Sequence, residues 1–347
     1  METGLIIEKS IFVLVIFALS LGIAAYQTYF ERKVAAWMQD RIGPNRAGKF
    51  GLLQPLADGG KLFFKEDFVP KDANWFLFMI APGIAMAVSL MTSAVIPWGP
   101  DYFAFGKTIS LQITDINIGI LYIMGATSVG VYGIMIGAWA SNNKYSLLSA
   151  IRGASQMISY ELAMGLIVIT IVMMSSSLSL KTMVEAQHGF NWNIWYQPVA
   201  FIVFFVCAIA ECNRAPFDLA ECESELIDGF HTEYGAMKMG FFLFSEYVNL
   251  FISSAVITCL FLGGYNFPGM DFVGEKLGAN ALSIISIFVM FIKIVAVIFT
   301  FMWIRWTLPR FRYDQLMKLG WKSLIPIALV NLVITAVVIA ATKGWLF

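Results

Sequence analysis

Apolar residues run in windows of about 20, each long enough for a helix to cross roughly 30 Å of hydrocarbon, separated by short polar connections. The windows lie near 11–30, 75–96, 116–140, 157–177, 239–262, 281–304 and 323–342, with a shorter one near 197–212. They predict an all-α, polytopic membrane protein of eight transmembrane helices in a single membrane domain, 1–347. The first window follows Glu2, Glu8 and Lys9 with no small-residue cleavage site after it, so it is expected to stay as the first helix.

Polar residues then set the orientation. The connections after helices one, three, five and seven carry 17 Lys and Arg, against five (Lys9, Lys107, Lys181, Lys276 and Lys343) on the other side. The positive-inside rule places the rich side in the cytoplasm and both termini outside. In the first cytoplasmic connection, 31–74, the stretch GLLQPLADGGKLFFKEDF mixes apolar residues with Asp58, Lys61, Lys65 and Glu66 at near-helical spacing. That pattern predicts an amphipathic helix on the membrane surface, because an ordinary polar loop would leave its Leu and Phe side chains in water. No internal repeat is evident, so the inverted-repeat plan of many transporters gains no support.

Composition narrows the function. Hydrophobic residues make up 59% and charged residues 13%, with a mean hydropathy of +0.75, far from the soluble average of roughly 25% charged. A net charge of zero gives no field for nucleic acid. The four cysteines form no CxxC pair, and with His188 and His231 the only histidines no zinc or iron–sulfur ligand set exists; a dinucleotide fingerprint and a P-loop are also missing. Any redox centre therefore belongs to another chain.

Against this background, Glu211 to Glu246 holds eight acidic residues in 36 positions, the last of them in an apolar helix. A charge at the bilayer centre costs roughly 2.5–3.5 kcal/mol on insertion scales, so carboxylates leading into apolar helices point to proton handling. Glu161 is expected about five residues into helix four, Glu211 at the end of helix five and Glu246 inside helix six; the alternative for each is a fixed hydrogen bond or ion pair. In the acidic loop, 213–238, Glu221, Glu223 and Glu225 alternate, and a helix would set the first and last on one face, where like charges disfavour each other. Asp218, Asp228 and Glu233 extend the cluster, whose bland reading is a solvated acidic loop. Pro216 disfavours helix at Ala215 and gives helix five its end near Arg214. His231 reads as a proton relay or a structural side chain, and Lys293, near mid-membrane, as part of a proton route or as a group packed on backbone.

Five segments carry a resemblance: ERKVAAWMQDRIGPN (31–45), GLLQPLADGGKLFFKE (51–66), ASQMISYEL (154–162), RAPFDLAECESELIDGFHTEY (214–234) and WIRWTLPRFRYDQLM (303–317). In order and nearly end to end, they resemble the H-subunit family of bacterial NADH:quinone oxidoreductase, which is also the family of mitochondrial complex I subunit 1. DLAECESEL stands where DLPEAESEL is usual and YGAMK where YSGMK is common, with every acidic position kept. The resemblance implies a non-redox membrane subunit that forms part of the quinone tunnel and couples quinone reduction to proton translocation. Its proton pathway would use Glu161, Glu211, Glu221, Glu223, Glu225, Glu233, Glu246 and Lys293. The tunnel wall would use Arg32, Trp37, Arg41 and Asp58, whose cationic members otherwise read as lipid anchors. Arg214, Asp218, Arg305, Arg310, Arg312 and Asp314 would face partner subunits. Quinone would be the substrate, with flavin mononucleotide and iron–sulfur clusters in the partners, no metal or cofactor on this chain, and lipids around it. The expected location is the bacterial cytoplasmic membrane, with mitochondrial and plastid inner membranes as alternatives. A membrane-bound hydrogenase component is the runner-up, and a stand-alone ion transporter or channel the reading from another class.

Overall fold

The computed structural model describes residues 2–104 and 107–342, without the side chains of 2–8, 104, 107, 223 and 224. In chain order the helices are α1 (Glu2–Met38), α2 (Gln54–Phe64), α3 (Trp75–Thr92), α4 (Gly119–Ala140), α5 (Lys144–Ser175), α6 (Leu180–Glu185), α7 (Asn193–Tyr196), α8 (Pro198–Glu211), α9 (Glu223–Leu226), α10 (Ala236–Phe261), α11 (Met270–Leu277), α12 (Ala279–Thr307), α13 (Tyr313–Lys318) and α14 (Ile325–Thr342). A π-helical turn, Leu319–Leu324, joins the last two. Two short strands, β1 (Tyr102–Ala104) and β2 (Lys107–Ile109), pair antiparallel with Phe103 opposite Thr108.

Among the described residues seven helices are long and apolar enough to cross a membrane, and Pro198–Glu211 is a shorter apolar eighth. The predicted all-α polytopic architecture is therefore what the chain forms. At about 1.5 Å per residue, α8 alone falls short of the hydrocarbon thickness. Its Glu211 end stops inside the protein, where neighbouring helices supply the polar partners that lipid lacks. Lys9 near the start of α1 reaches the Gln112 carbonyl (2.9 Å), and Thr335 late in α14 bonds Gln197 (2.9 Å) at the start of α8, so the chain's two described ends lie at one end of the bundle. The other end carries the basic connections.

Two helices run well beyond their apolar windows. The first continues through Glu31, Arg32, Lys33 and Trp37 because Val34, Ala35 and Ala36 keep a buried stripe after hydropathy fails, in a segment of good helix formers. The fifth begins at Lys144, capped by Asn143, whose side chain accepts from Tyr145 N at 2.9 Å; Ser146, Ser149, Ala150 and Gly153 bury its polar first turns. Glu161 accordingly stands well inside α5, not near its start.

The most enclosed span is α10, packed among α1, α3 and α12. The most extensively packed helix pair, α3 and α4, meets through small residues: a Cβ added at Gly133 would lie 3.1 Å from Ala85 Cβ, and one at Gly137 3.2 Å from Ala81 Cβ. Close approach of this kind replaces the hydrophobic drive that helices lack in lipid.

Candidate functional site: a buried charge network beside a cleft

The site forms where α1, α10 and α12 reach the basic end and the loop after α8 folds back among them. Gln156, fully buried on α5, pins that loop by donating to the carbonyls of Ala210 (2.7 Å) and Phe217 (2.6 Å). Ser149 donates to the Ala220 carbonyl, and Gly229 passes so close that a Cβ would sit 1.9 Å from that oxygen at a φ of +58°. Only glycine fits such a turn.

At the centre is Glu31, 6% exposed. It accepts from Tyr247 Oη at 2.8 Å and from Arg305, and Arg214 Nη1 lies 3.4 Å away. The Arg214 guanidinium covers the Tyr247 ring at 4.1 Å, and its Nη2 stands 3.6 Å from Glu246 Oε2. Glu246 in turn hydrogen-bonds Glu221, whose Oε1 is 3.4 Å from His231 Nδ1. Burial costs the Arg214 cation, but Tyr247, Glu31, Glu246 and Glu221 outweigh it and hold its pKa above the ordinary value. Glu221 feels burial upward most strongly, yet His231, the Glu246 hydrogen bond and the two guanidiniums hold it below the ordinary carboxyl value. Burial lowers the His231 imidazole pKa below its ordinary value, against the pull of Glu221 and Asp228 toward the cation. Asp218, 2.8 Å from Arg310, is pushed up to about 6 by burial and Glu221, against Arg310 and Arg305.

Glu221, His231 and Glu246 each bring one ligand atom within 4.8 Å of the others, the donor set of a small cation site. Arg214 beside Glu246 already supplies positive charge there, so the trio suits a shared proton better than a metal ion.

A cleft of about 480 Å³ opens beside the network between α1, α2 and α10, lined by Ala25, Thr28, Arg32, Asp58, Lys61, Leu243 and Tyr247 among others. Arg32 and Asp58 form a 2.6 Å ion pair on its wall. Tyr247 thus faces the cleft and donates to Glu31. On the other side, a cavity of about 30 Å³, large enough for a water, is lined by Glu246, Ser245, Asn249, Asn213, Thr127 and Glu211.

A family model of NADH dehydrogenase matches residues 10–336. The NADH-quinone oxidoreductase H subunit of Flavobacterium johnsoniae is 60% identical over 339 residues, 98% of this chain and 97% of that protein. Its counterpart in Flavobacterium psychrophilum is 59% identical over 343 residues, 99% and 100% of the two chains. One of the H subunits of Geobacter sulfurreducens is 49% identical over 321 residues, 92% and 93%. The chain belongs to the H-subunit family of NADH-quinone oxidoreductase. Membership makes it part of an enzyme complex rather than an enzyme alone, and sets aside the stand-alone transporter.

Of the family positions read from sequence, Glu246, Glu211 and Glu221 converge on the network and its cavity. Glu161 accepts a hydrogen bond from Ser128 on α4. Glu225 lies outside, paired with Arg152 at 2.6 Å, and Glu233 accepts from Asn143 at 2.8 Å. Glu221 precedes the single turn of α9, so it shares no helical face with Glu225. The Glu223 side chain lies outside the described residues. Lys293 donates to the carbonyls of Leu262 (2.7 Å), Gly264 (2.9 Å) and Asn266 (2.5 Å) and covers Trp192 at 4.4 Å, far from the acids and without an ion pair among the described residues. Three carbonyl dipoles and a π face satisfy the ammonium, which is the backbone-packing alternative.

Other expectations met different surroundings. Trp37 is 65% exposed and Arg41 bonds Gln39 at 2.8 Å; neither lines the cleft, because the continued helix turns Trp37 outward. Arg214 and Asp218, expected at a partner face, are buried within the chain, and Arg305 and Arg310 turn inward to Glu31 and Asp218, since those buried acids need cations. Arg312 and Asp314 remain exposed, 3.5 Å apart. Sequence reading passed over Glu31 and Tyr247. Glu31 sits just past the first apolar window, and its partners Arg214 and Arg305 are distant in sequence; only its place in the ERKVAAWM run marked it.

Proposed function

We propose that this protein admits quinone through the cleft between α1, α2 and α10, and converts its reduction into proton movement along Glu31, Glu221, Glu246, Glu211 and Glu161. The observation that carries this reading is Tyr247: one side chain lines the cleft and bonds Glu31 at 2.8 Å, within the cluster that contains Glu246. Charge appearing on a quinone in the cleft shifts the proton affinity of acids held this close, because their surroundings are desolvated and already balanced between carboxylates and guanidiniums. Arg32 and Asp58 form the polar wall, while the exposed Leu56, Phe63 and Phe64 of α2 rest in the lipid surface.

In this reading the basic end faces the cytoplasm of a bacterium, and Glu225 and Glu233 stand at the outer edge of the acid route. Arg312 and Asp314 meet the peripheral subunits, which carry flavin mononucleotide and iron–sulfur clusters; Trp37 and Arg41 join the tunnel wall where such a subunit closes over them.

Glu246→Gln in the assembled complex tests the coupling. NADH-driven quinone reduction and proton translocation are expected to fall together by about a hundredfold, the lower range of a lost acid–base group, with the complex still formed. Wild-type rates would remove Glu246 from the route.

A further inference from the structure

Toward the end of the bundle where the two described ends lie, a groove of about 320 Å³ runs between α1 and α12. Phe12, Ile16, Leu19 and Ile23 line it from α1, and Ile287, Phe291 and Ile294 from α12. From Phe12 to Ile23 the helix rises about 16 Å, so the groove is long and runs with the spans. Its walls are apolar almost throughout; Ile16 and Ile294 in its base are buried, whereas Leu19 and Phe291 at its lips are exposed.

This groove is distinct from the cleft beside the charge network. At about 3.6 residues per turn, Phe12, Ile16, Leu19 and Ile23 form one stripe of α1, while Ala25, Thr28 and Arg32, which line the cleft, point to the opposite side. Lys9 stands one turn before Phe12 on the groove's own stripe, just ahead of the apolar window, and its Nζ donates to the Gln112 carbonyl at 2.9 Å. Gln112 follows Leu111, another groove residue, so the ammonium lies at the outer mouth of the groove, at the helix end where headgroups sit. Lys9 has no ion pair among the described residues, and an ammonium that makes one hydrogen bond keeps two donors.

We propose that the groove holds one acyl chain of an anionic phospholipid whose phosphate is bound by Lys9. A void between apolar walls forfeits dispersion contacts along its whole length, and in a bilayer the group at hand to restore them is a hydrocarbon chain. A linear chain suits a groove that runs with the spans. A phosphate, which carries negative charge and accepts hydrogen bonds, suits an ammonium without a carboxylate partner at the mouth. The bound lipid packs α1 against α12 from the face opposite the proposed quinone cleft.

The test uses the whole complex carrying Phe291→p-benzoylphenylalanine, reconstituted in vesicles of equal parts phosphatidylglycerol and phosphatidylethanolamine. After irradiation and digestion, mass spectrometry identifies what has joined to that position. The site predicts an excess of phosphatidylglycerol adducts of about fivefold, the effect of one basic side chain beside an anionic headgroup. Adding Lys9→Gln should bring the two lipids to parity, while Lys9→Arg should keep the excess. Adding Ile16→Trp, which fills the groove and leaves Lys9 in place, should cut both adducts several-fold; the Lys9 pair decides alone should that variant fail to assemble. Equal adducts with Lys9 present, an excess that survives Lys9→Gln, or adducts untouched by Ile16→Trp overturn the proposal by showing bulk lipid at an exposed face. A cross-link to another chain in place of lipid overturns it by giving the groove to a partner helix, and an adduct of quinone by giving it to the substrate.

Discussion

At the scale of single residues, the network balances buried acids with buried guanidiniums, and Asp218 reports how closely. Its carboxyl is raised from 3.8 to about 6, chiefly by burial. The folded chain therefore holds a proton there that the unfolded chain has lost between those two values, so the group's contribution to stability falls as pH rises across that window. The span corresponds to roughly 3 kcal/mol. Asp218→Asn has no such titration. Melted in detergent at pH 4 and at pH 6.5, the variant should gain several degrees relative to wild type at the higher pH; a constant difference would mean that Asp218 titrates normally. The acids themselves were readable from sequence, because a carboxylate in or beside an apolar run stands out. Their partners were not: Arg214 meets Glu31 across 183 residues of chain, and nothing local to either announces the other. Arg305 and Arg310 show the same gap, since a basic residue outside an apolar window looks alike whether it faces a partner subunit or turns inward.

Helices were legible where lipid dictates them and illegible where protein does. Hydropathy found every span, yet it ended α1 and began α5 too close to the bilayer, because buried Val34, Ala35 and Ala36, and Ser146, Ser149 and Ala150, pack on protein with little change in polarity that a window detects. The same continuation moved Glu161 deep into its helix. Contacts between spans depend on small residues that hydropathy scores as neutral. Gly137 of α4 is the clearest: a Cβ there would stand 3.0 Å from Tyr234 Oη and 3.1 Å from Phe242 Cζ. Tyr234 also donates to the carbonyls of Phe78 (3.2 Å) and Gly137 (3.3 Å), so the acidic loop is seated on α3 and α4 at this point. Gly137→Leu should force these elements apart at a cost of about 1–3 kcal/mol, typical of overpacking, and should lower both the melting temperature and the yield of assembled complex. Normal assembly and melting would show that α3 and α4 separate without strain.

Across the whole molecule, the cleft and the small cavity that holds Glu246 and Glu211 lie on opposite faces of α10, so access for a lipid-soluble substrate and these two acids are separated by one helix. Tyr247 and Glu246, consecutive on α10, face these two sides, which explains how an event in the cleft reaches acids without opening them to bulk water. A consequence follows for long and short substrates. Ala25 lines the cleft from α1, six residues or about 9 Å of helix rise before Glu31, and Ala25→Phe adds a ring to the wall without replacing any member of the charge network. If quinone enters by this cleft, a long-tailed quinone must thread past the added ring, whereas a short-tailed analogue has little to obstruct. The apparent KM for the long-tailed form should rise several-fold in the variant, with kcat at saturation and the proton yield per quinone nearly unchanged, because the charge network is untouched. Steady-state kinetics of the reconstituted complex with both quinones gives the answer. An equal KM for both, at wild-type values, would close this cleft as the route of entry, and a fall in proton yield would mean that its wall takes part in coupling.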